Sequence, residues 1–125
     1  IIAVNDKGHL ISVGEVPENV ILNVLKGEKN TLIQAASQAV DSCLIDNEGN
    51  TIFSVLVGDC VSRAIFLEDN FIEELSVISD KVNSLDSQTI PFGMLTLGEI
   101  ASTGREQITF FNKTIVVGVF YENCI

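Results

Sequence analysis

Three short stretches concentrate the side chains able to do chemistry. "VGDCVSRAIFL" (57–67) carries an acid, a thiol and a guanidinium at Asp59, Cys60 and Arg63. "PFGMLTLGEIASTG" (91–104) runs apolar from Phe92 to Leu97, apart from Gly93 and Thr96, then breaks at Gly98 and presents Glu99 at once. "FFNKTIVVGVF" (110–120) sets Asn112 and Thr114 around Lys113. Arg63 offers a planar fork matched to a carboxylate or phosphate, and Glu99 offers an acceptor for an amine. Together they suit the two ends of a free amino acid. The alternative is a structural salt bridge between the two, since paired charges serve both purposes. Asp59 adds a negative charge able to occupy the same guanidinium.

The remaining polar residues also have paired readings. Cys60 beside Arg63 is either an activated thiol or a small, partly buried residue in a tight turn, and the second fits better. Asn112 either donates into a pocket or serves its own turn. Thr114 reads as satisfying local backbone, and Gly98 as serving backbone geometry.

Several reaction classes find no residues. His9 is the only histidine, so no Ser-His-Asp set can be assembled. No glycine-rich phosphate loop is present. The three cysteines, Cys43, Cys60 and Cys124, are widely spaced, with no Cys-x-x-Cys pair. They read as reduced thiols of a cytoplasmic protein, with no metal site and no cofactor. The expectation is a binding module, not an enzyme.

The net charge of −10, from 17 acids against 7 bases, argues against nucleic acid and against anionic membrane surfaces. No window approaches the ~20 apolar residues of a membrane span. The 125 residues fit one domain. The first residues lack a signal-peptide pattern and read as mid-strand, so residues 1–125 are taken as a single domain cut from a longer chain.

Elements must position these groups. Ile1 to Val4 and His9 to Val13 flank the turn-forming "NDKG" as a hairpin. "VILNVL" (20–25) reads as a strand. Thr31 with Gln34 has the capping-box pattern for a helix bearing Leu32, Ala36, Ala39, Val40 and Cys43 on one face. That helix ends in the turn "DNEGN" (46–50). "TIFSVLV" (51–57) is a central strand. A second helix, capped by Asn70 with Glu73, carries Phe71, Leu75, Ile78, Val82 and Leu85. A strand over 89–97, the polar loop "STGREQ" and the strands "ITFF" and "TIVVGVF" follow, the last two pairing with each other.

The expected fold is α+β: a mixed β-sheet of five to seven strands with two amphipathic helices packed mainly on one face. The other face needs cover from a partner domain or a homo-oligomer. If strands 51–57 and 89–97 are parallel neighbours, Arg63 and Glu99 rise on one rim, where ligands of open α/β sheets collect. A pocket there requires that the two share one solvent-reachable hollow.

From about Gly8 to Tyr121 the chain resembles the C-terminal domain of FIST proteins. The resemblance rests on "GHLISVGEVPENVILNVLKGEKNTLIQAA", the Cys-x-x-Arg of "GDCVSRAIFL", "PFGMLTLGEIAS" and "FFNKTIVVGVF". It implies a bacterial, cytoplasmic sensory domain of signal transduction that binds a small molecule such as an amino acid or small carboxylate. It also implies a preceding FIST N-terminal domain and an attached output domain. The candidate ligand-binding residues are Arg63, Glu99, Thr96 and Asn112, with Cys60 and Asp59 beside them. The chain departs from the family pattern in reading Gly58-Asp59-Cys60 for Phe-Ser-Cys, Ser62 for a Gly before the Arg, and Phe111 for a His before the Asn. A structural or oligomerisation module that positions signalling partners without a ligand is the alternative function.

Overall fold

The computed structural model describes residues 3–12, 14–23, 25–44, 50–102 and 107–122. Cys124 and most of the "DNEGN" and "STGREQ" loops lie outside them. Strands β1 (Ala3–Val4) and β2 (Leu10–Ile11) form an antiparallel hairpin. Asn5 Oδ1 accepts from the backbone N–H of Lys7 at 3.0 Å and of His9 at 2.9 Å, and Gly8 has φ 79°. That is an Asx turn closed by a glycine in the left-handed region.

The expected strand at 20–25 does not form among its described residues, and Ile21 is 97% exposed. Branched side chains favour strands only where a neighbouring strand gives them a surface to pack on, and no strand pairs with this segment.

Helix α1 (Lys29–Leu44) buries Ile33, Ala36 and Val40. It begins before the capping pattern placed it. Thr31 Oγ1 donates to the Glu28 carbonyl at 2.8 Å and accepts from the Glu28 amide at 3.2 Å, so it closes the first turn from inside. Strand β3 (Ile52–Cys60) leads directly into the short helix α2 (Val61–Leu67), a 3₁₀ turn (Glu68–Asn70) and helix α3 (Phe71–Leu85). Asn70 makes no side-chain cap, because its backbone is already helical as the 3₁₀ turn runs into α3. The buried face of α3 is Glu74, Ile78 and Val82. It is rotated from the expected stripe, which leaves Leu75 and Leu85 exposed.

Strands β4 (Phe92–Thr96), β5 (Glu99–Ala101), β6 (Thr109–Phe111) and β7 (Ile115–Tyr121) complete the fold. Among the described residues seven strands fall into three small sheets, and the mixed one has the order β4-β3-β7. β3 is parallel to β4 and antiparallel to β7. β6 pairs with β5, not with β7 as expected. The core lies on one face of the mixed sheet, where Ala36 and Val40 of α1 and Ile78 and Val82 of α3 meet Val55, Val57, Ile115 and Val117. Two contacts fasten the end of α1 to β7: Cys43 Sγ donates to the Val117 carbonyl at 3.0 Å, and Tyr121 Oη donates to the Cys43 carbonyl at 3.2 Å.

The β3–β4 pairing admits no side chain at Gly93. A Cβ there would sit 2.2 Å from the Val57 carbonyl oxygen, whereas one at Gly58 meets nothing nearer than Thr96 Cγ2 at 4.0 Å. Gly93→Ala should cost about 1–3 kcal/mol as an overpacked strand, while Gly58→Ala stays near neutral. Urea unfolding of the two variants checks this contrast.

Candidate functional site

Alternation along β3 turns successive side chains to opposite faces of the sheet. Val55, Val57 and Asp59 face the helices, and Leu56, Gly58 and Cys60 face away. The polar residues at the end of β3 are divided by this alternation.

On the helix face, Asp59 and Arg63 are each 3% exposed and Glu74 is 0% exposed. Arg63 lies one turn beyond Asp59, because β3 passes straight into α2. Its Nε is 3.2 Å from Asp59 Oδ1. Its Nη2 donates to Glu74 Oε2 of α3 and, at 3.1 Å, to the Leu32 carbonyl of α1. One guanidinium thus joins the central strand to both long helices. Glu74 was not among the residues singled out in the sequence. Its signal was the spacing 74-78-82, which puts an acid in line with Ile78 and Val82.

On the other face, Thr96 pairs with Cys60 across the parallel register. Thr96 Oγ1 lies 2.5 Å from Glu99 Oε1 and 3.1 Å from the Asp59 carbonyl oxygen. The Thr114 amide donates to Glu99 Oε2 at 3.4 Å. Glu99, 3% exposed, therefore faces a hydroxyl and a backbone N–H, and it fastens the β4–β5 turn to the start of β7. Gly98 serves close approach, since a Cβ there would meet the Phe110 ring at 2.6 Å. Cys60 is buried, with its amide on the Thr114 carbonyl at 3.1 Å and its sulfur 3.0 Å from Ser62 Oγ. Thr114 Oγ1 donates to the Asn112 carbonyl at 3.2 Å, the local role expected of it.

The single rim hollow expected for Arg63 and Glu99 is replaced by separate ones. A hollow of about 570 Å³ lies between the 25–27 segment, the start of α1, α2 and the β6–β7 turn, with Lys26, Ser62, Arg63, Asn112, Lys113 and Thr114 on its wall. A second, of about 250 Å³, lies against Leu56, Gly58, Thr96, Glu99 and Val116 on the far face of the sheet. A third, of about 360 Å³, lies between α3 and β4 and reaches Asp59. The β3–β4 neighbourhood was as anticipated. The side chains part because strand alternation sends Asp59 and Thr96 to opposite faces.

The buried charges do not balance locally. Burial raises the Asp59 carboxyl from 3.8 to about 7; the charge of Glu74, a side-chain hydrogen bond with that same carboxyl and, most weakly, the charge of Glu99 add to the rise, and Arg63 opposes it.

With this geometry in place, comparison with known proteins gives one result. The family model described as the FIST C domain matches residues 1–102. The chain belongs to that family, whose members are sensory, signal-transduction domains. No curated protein and no solved structure matches it. Among the described residues, no helix is long and apolar enough to cross a membrane.

Arg63→Ala should destabilise the fold by about 3–5 kcal/mol, because it leaves two buried acids without their cation. Arg63→Lys recovers only part of this, since an ammonium lacks the fork that reaches three partners. Chemical denaturation of both variants measures the difference.

Stability should also depend on pH with a defined sign. The unfolded chain releases the Asp59 proton near 3.8, whereas the folded state holds it until about 7. Between those values the folded state binds more protons, so stability falls as pH rises. Asp59→Asn removes that slope, and urea midpoints measured across the window test it.

Proposed function

We propose that this domain is the ligand-binding part of a cytoplasmic sensory protein, and that an amino acid or small carboxylate binds in the hollow beside α2. The observation that carries this reading is the convergence of Ser62, Asn112, Lys113 and Thr114 on a space of about 570 Å³, within the range of small-molecule sites. Lys113 has φ 59°, a left-handed conformation that costs a non-glycine residue energy and that clusters at functional sites. Lys26 and Lys113 give the wall positive charge suited to a carboxylate, although Lys26 also pairs with Glu28 at 3.2 Å. Arg63 forms the back of this wall and ties it to α1, α3 and β3, so a ligand that reshapes the wall bears on every element the guanidinium holds. The partners in the full chain would be a FIST N-terminal domain and an output domain.

A second reading rests on one specific observation. Phe92, Met94 and Phe120 are exposed on the sheet face away from the helices. Such a surface suits a structural or oligomerisation module that docks a partner and binds nothing small.

Thermal-shift and calorimetric titrations with amino acids and small carboxylates separate the two. A genuine ligand at 100 times its Kd stabilises by about 2.7 kcal/mol. The double variant Asn112→Ala, Lys113→Ala should weaken it by about tenfold or more. A response indifferent to both substitutions removes the ligand from this hollow. A defined oligomer in native mass spectrometry, with no response to any compound, favours the docking module.

A further inference from the structure

A different part of the molecule carries a different chemistry. The hollow of about 360 Å³ between α3 and β4 is lined by Val57, Phe71, Leu75, Ile78, Phe92 and Met94, with Pro91, Gly93 and Leu95 beside them. Among the described residues, Asp59 and Ser79 are its only polar side chains. Asp59 is 3% exposed, and neither of its carboxylate oxygens accepts a hydrogen bond from a donor among the described residues; the protonated carboxyl bonds the Glu74 carboxyl, and that bond is lost when Asp59 ionises. Arg63 Nε, 3.2 Å away, supplies charge but no aligned hydrogen bond, and that nitrogen is itself unbonded. Buried carboxylate oxygens normally have partners, and each exception needs a reason.

We propose that this hollow is a binding site for a primary ammonium carried on an apolar body, with Asp59 and Ser79 receiving the charged head. The assignment does not depend on the carboxylate site beside α2. An ammonium has three donors and no acceptor, which matches two vacant carboxylate oxygens and a hydroxyl. Its positive charge suits a cluster in which two acids, Asp59 and Glu74, face the single guanidinium of Arg63. Among the described residues no cationic side chain lines the hollow, so a carboxylate-bearing compound meets an acid and an apolar wall there. The space holds roughly 12 water-sized atoms at ~30 Å³ each, enough for a short alkyl or single-ring amine. Leu75 of α3 is exposed at the mouth, and the exposed Phe92 and Met94 reach the hollow around the outer edge of β4.

The test is a ¹H–¹⁵N NMR titration of this chain with benzylamine and hexylamine, against benzyl alcohol and benzoate. It is run at about pH 8, where the Asp59 carboxyl has released its proton. The amines should move the amides of Leu75, Ser79 and Met94, and benzyl alcohol should bind at least about tenfold more weakly. Asp59→Asn should cost the amines a similar factor. Leu75→Trp, which fills the mouth and leaves every charge in place, should abolish the shifts. The double variant Asn112→Ala, Lys113→Ala should leave them unchanged, so failure here is distinct from failure of the carboxylate site. Absence of amine shifts overturns the proposal, as does equal binding of the alcohol or shifts that survive Leu75→Trp. If Asp59→Asn does not fold, Leu75→Trp decides alone.

Discussion

The architecture depends on one buried guanidinium. Arg63 ties the end of β3, the first turn of α1 through the Leu32 carbonyl, and α3 through Glu74. Taking these charges out of water is expensive, and the attraction between them repays that only when geometry and hydrogen bonds are good. An apolar replacement of the whole cluster is physically reasonable. What the cluster adds is direction, because a planar fork with fixed donors admits few relative placements of a strand and two helices, whereas an apolar contact admits many.

That constraint explains why the polar residues do not gather into one clamp. Strand alternation puts the Asp59 side chain among the helices and leaves Thr96 and Glu99 on the opposite face. The two clusters meet only through backbone, where the Asp59 carbonyl lies against the Thr96 hydroxyl and the Cys60 amide against the Thr114 carbonyl. Glu99 is satisfied by a hydroxyl and an amide. The Arg63 cluster is only partly so: its Nη2 is held by Glu74 and a carbonyl, while, with both acids ionised, Arg63 Nε, both Asp59 oxygens and Glu74 Oε1 are buried without a hydrogen bond among the described residues.

The parts of the fold legible in the sequence were those fixed by local chemistry. The Asn5–His9 turn, the apolar strand read at 51–57 and the two long helices follow from turn residues and periodicity; the strand in fact runs on through Gly58 and Asp59 to Cys60, because both β4 and β7 pair with that end. The β3–β4 pairing and the Asp59–Arg63 contact were also within reach, because their residues are near in sequence or share a strand end. The segment 20–25 misled because β-branched residues describe a preference, and the partner strand decides whether it is realised. The pairing of β6 with β5 depends on which strand reaches a free edge, and composition does not encode that. Glu74 was not singled out, because the helix was read from its apolar stripe alone, although its spacing from Ile78 and Val82 placed it inward. The division of Arg63 from Glu99 required knowing which way a strand-end side chain turns, which a one-residue change of register reverses.

The energetics of Arg63 also limit how a signal can arise here. Releasing its guanidinium would leave Asp59 and Glu74 buried without their cation, a cost of about 3–5 kcal/mol. A ligand that competed for the guanidinium would carry that cost in its own affinity, a factor of about 10²–10⁴ in Kd. The groups free to respond are those on the outer wall: Asn112 on its turn, the left-handed Lys113, and the segment around Lys26 that no strand holds. On the proposed reading, occupancy at that wall would shift these loops against a fixed Arg63, with the buried ion cluster as the rigid reference.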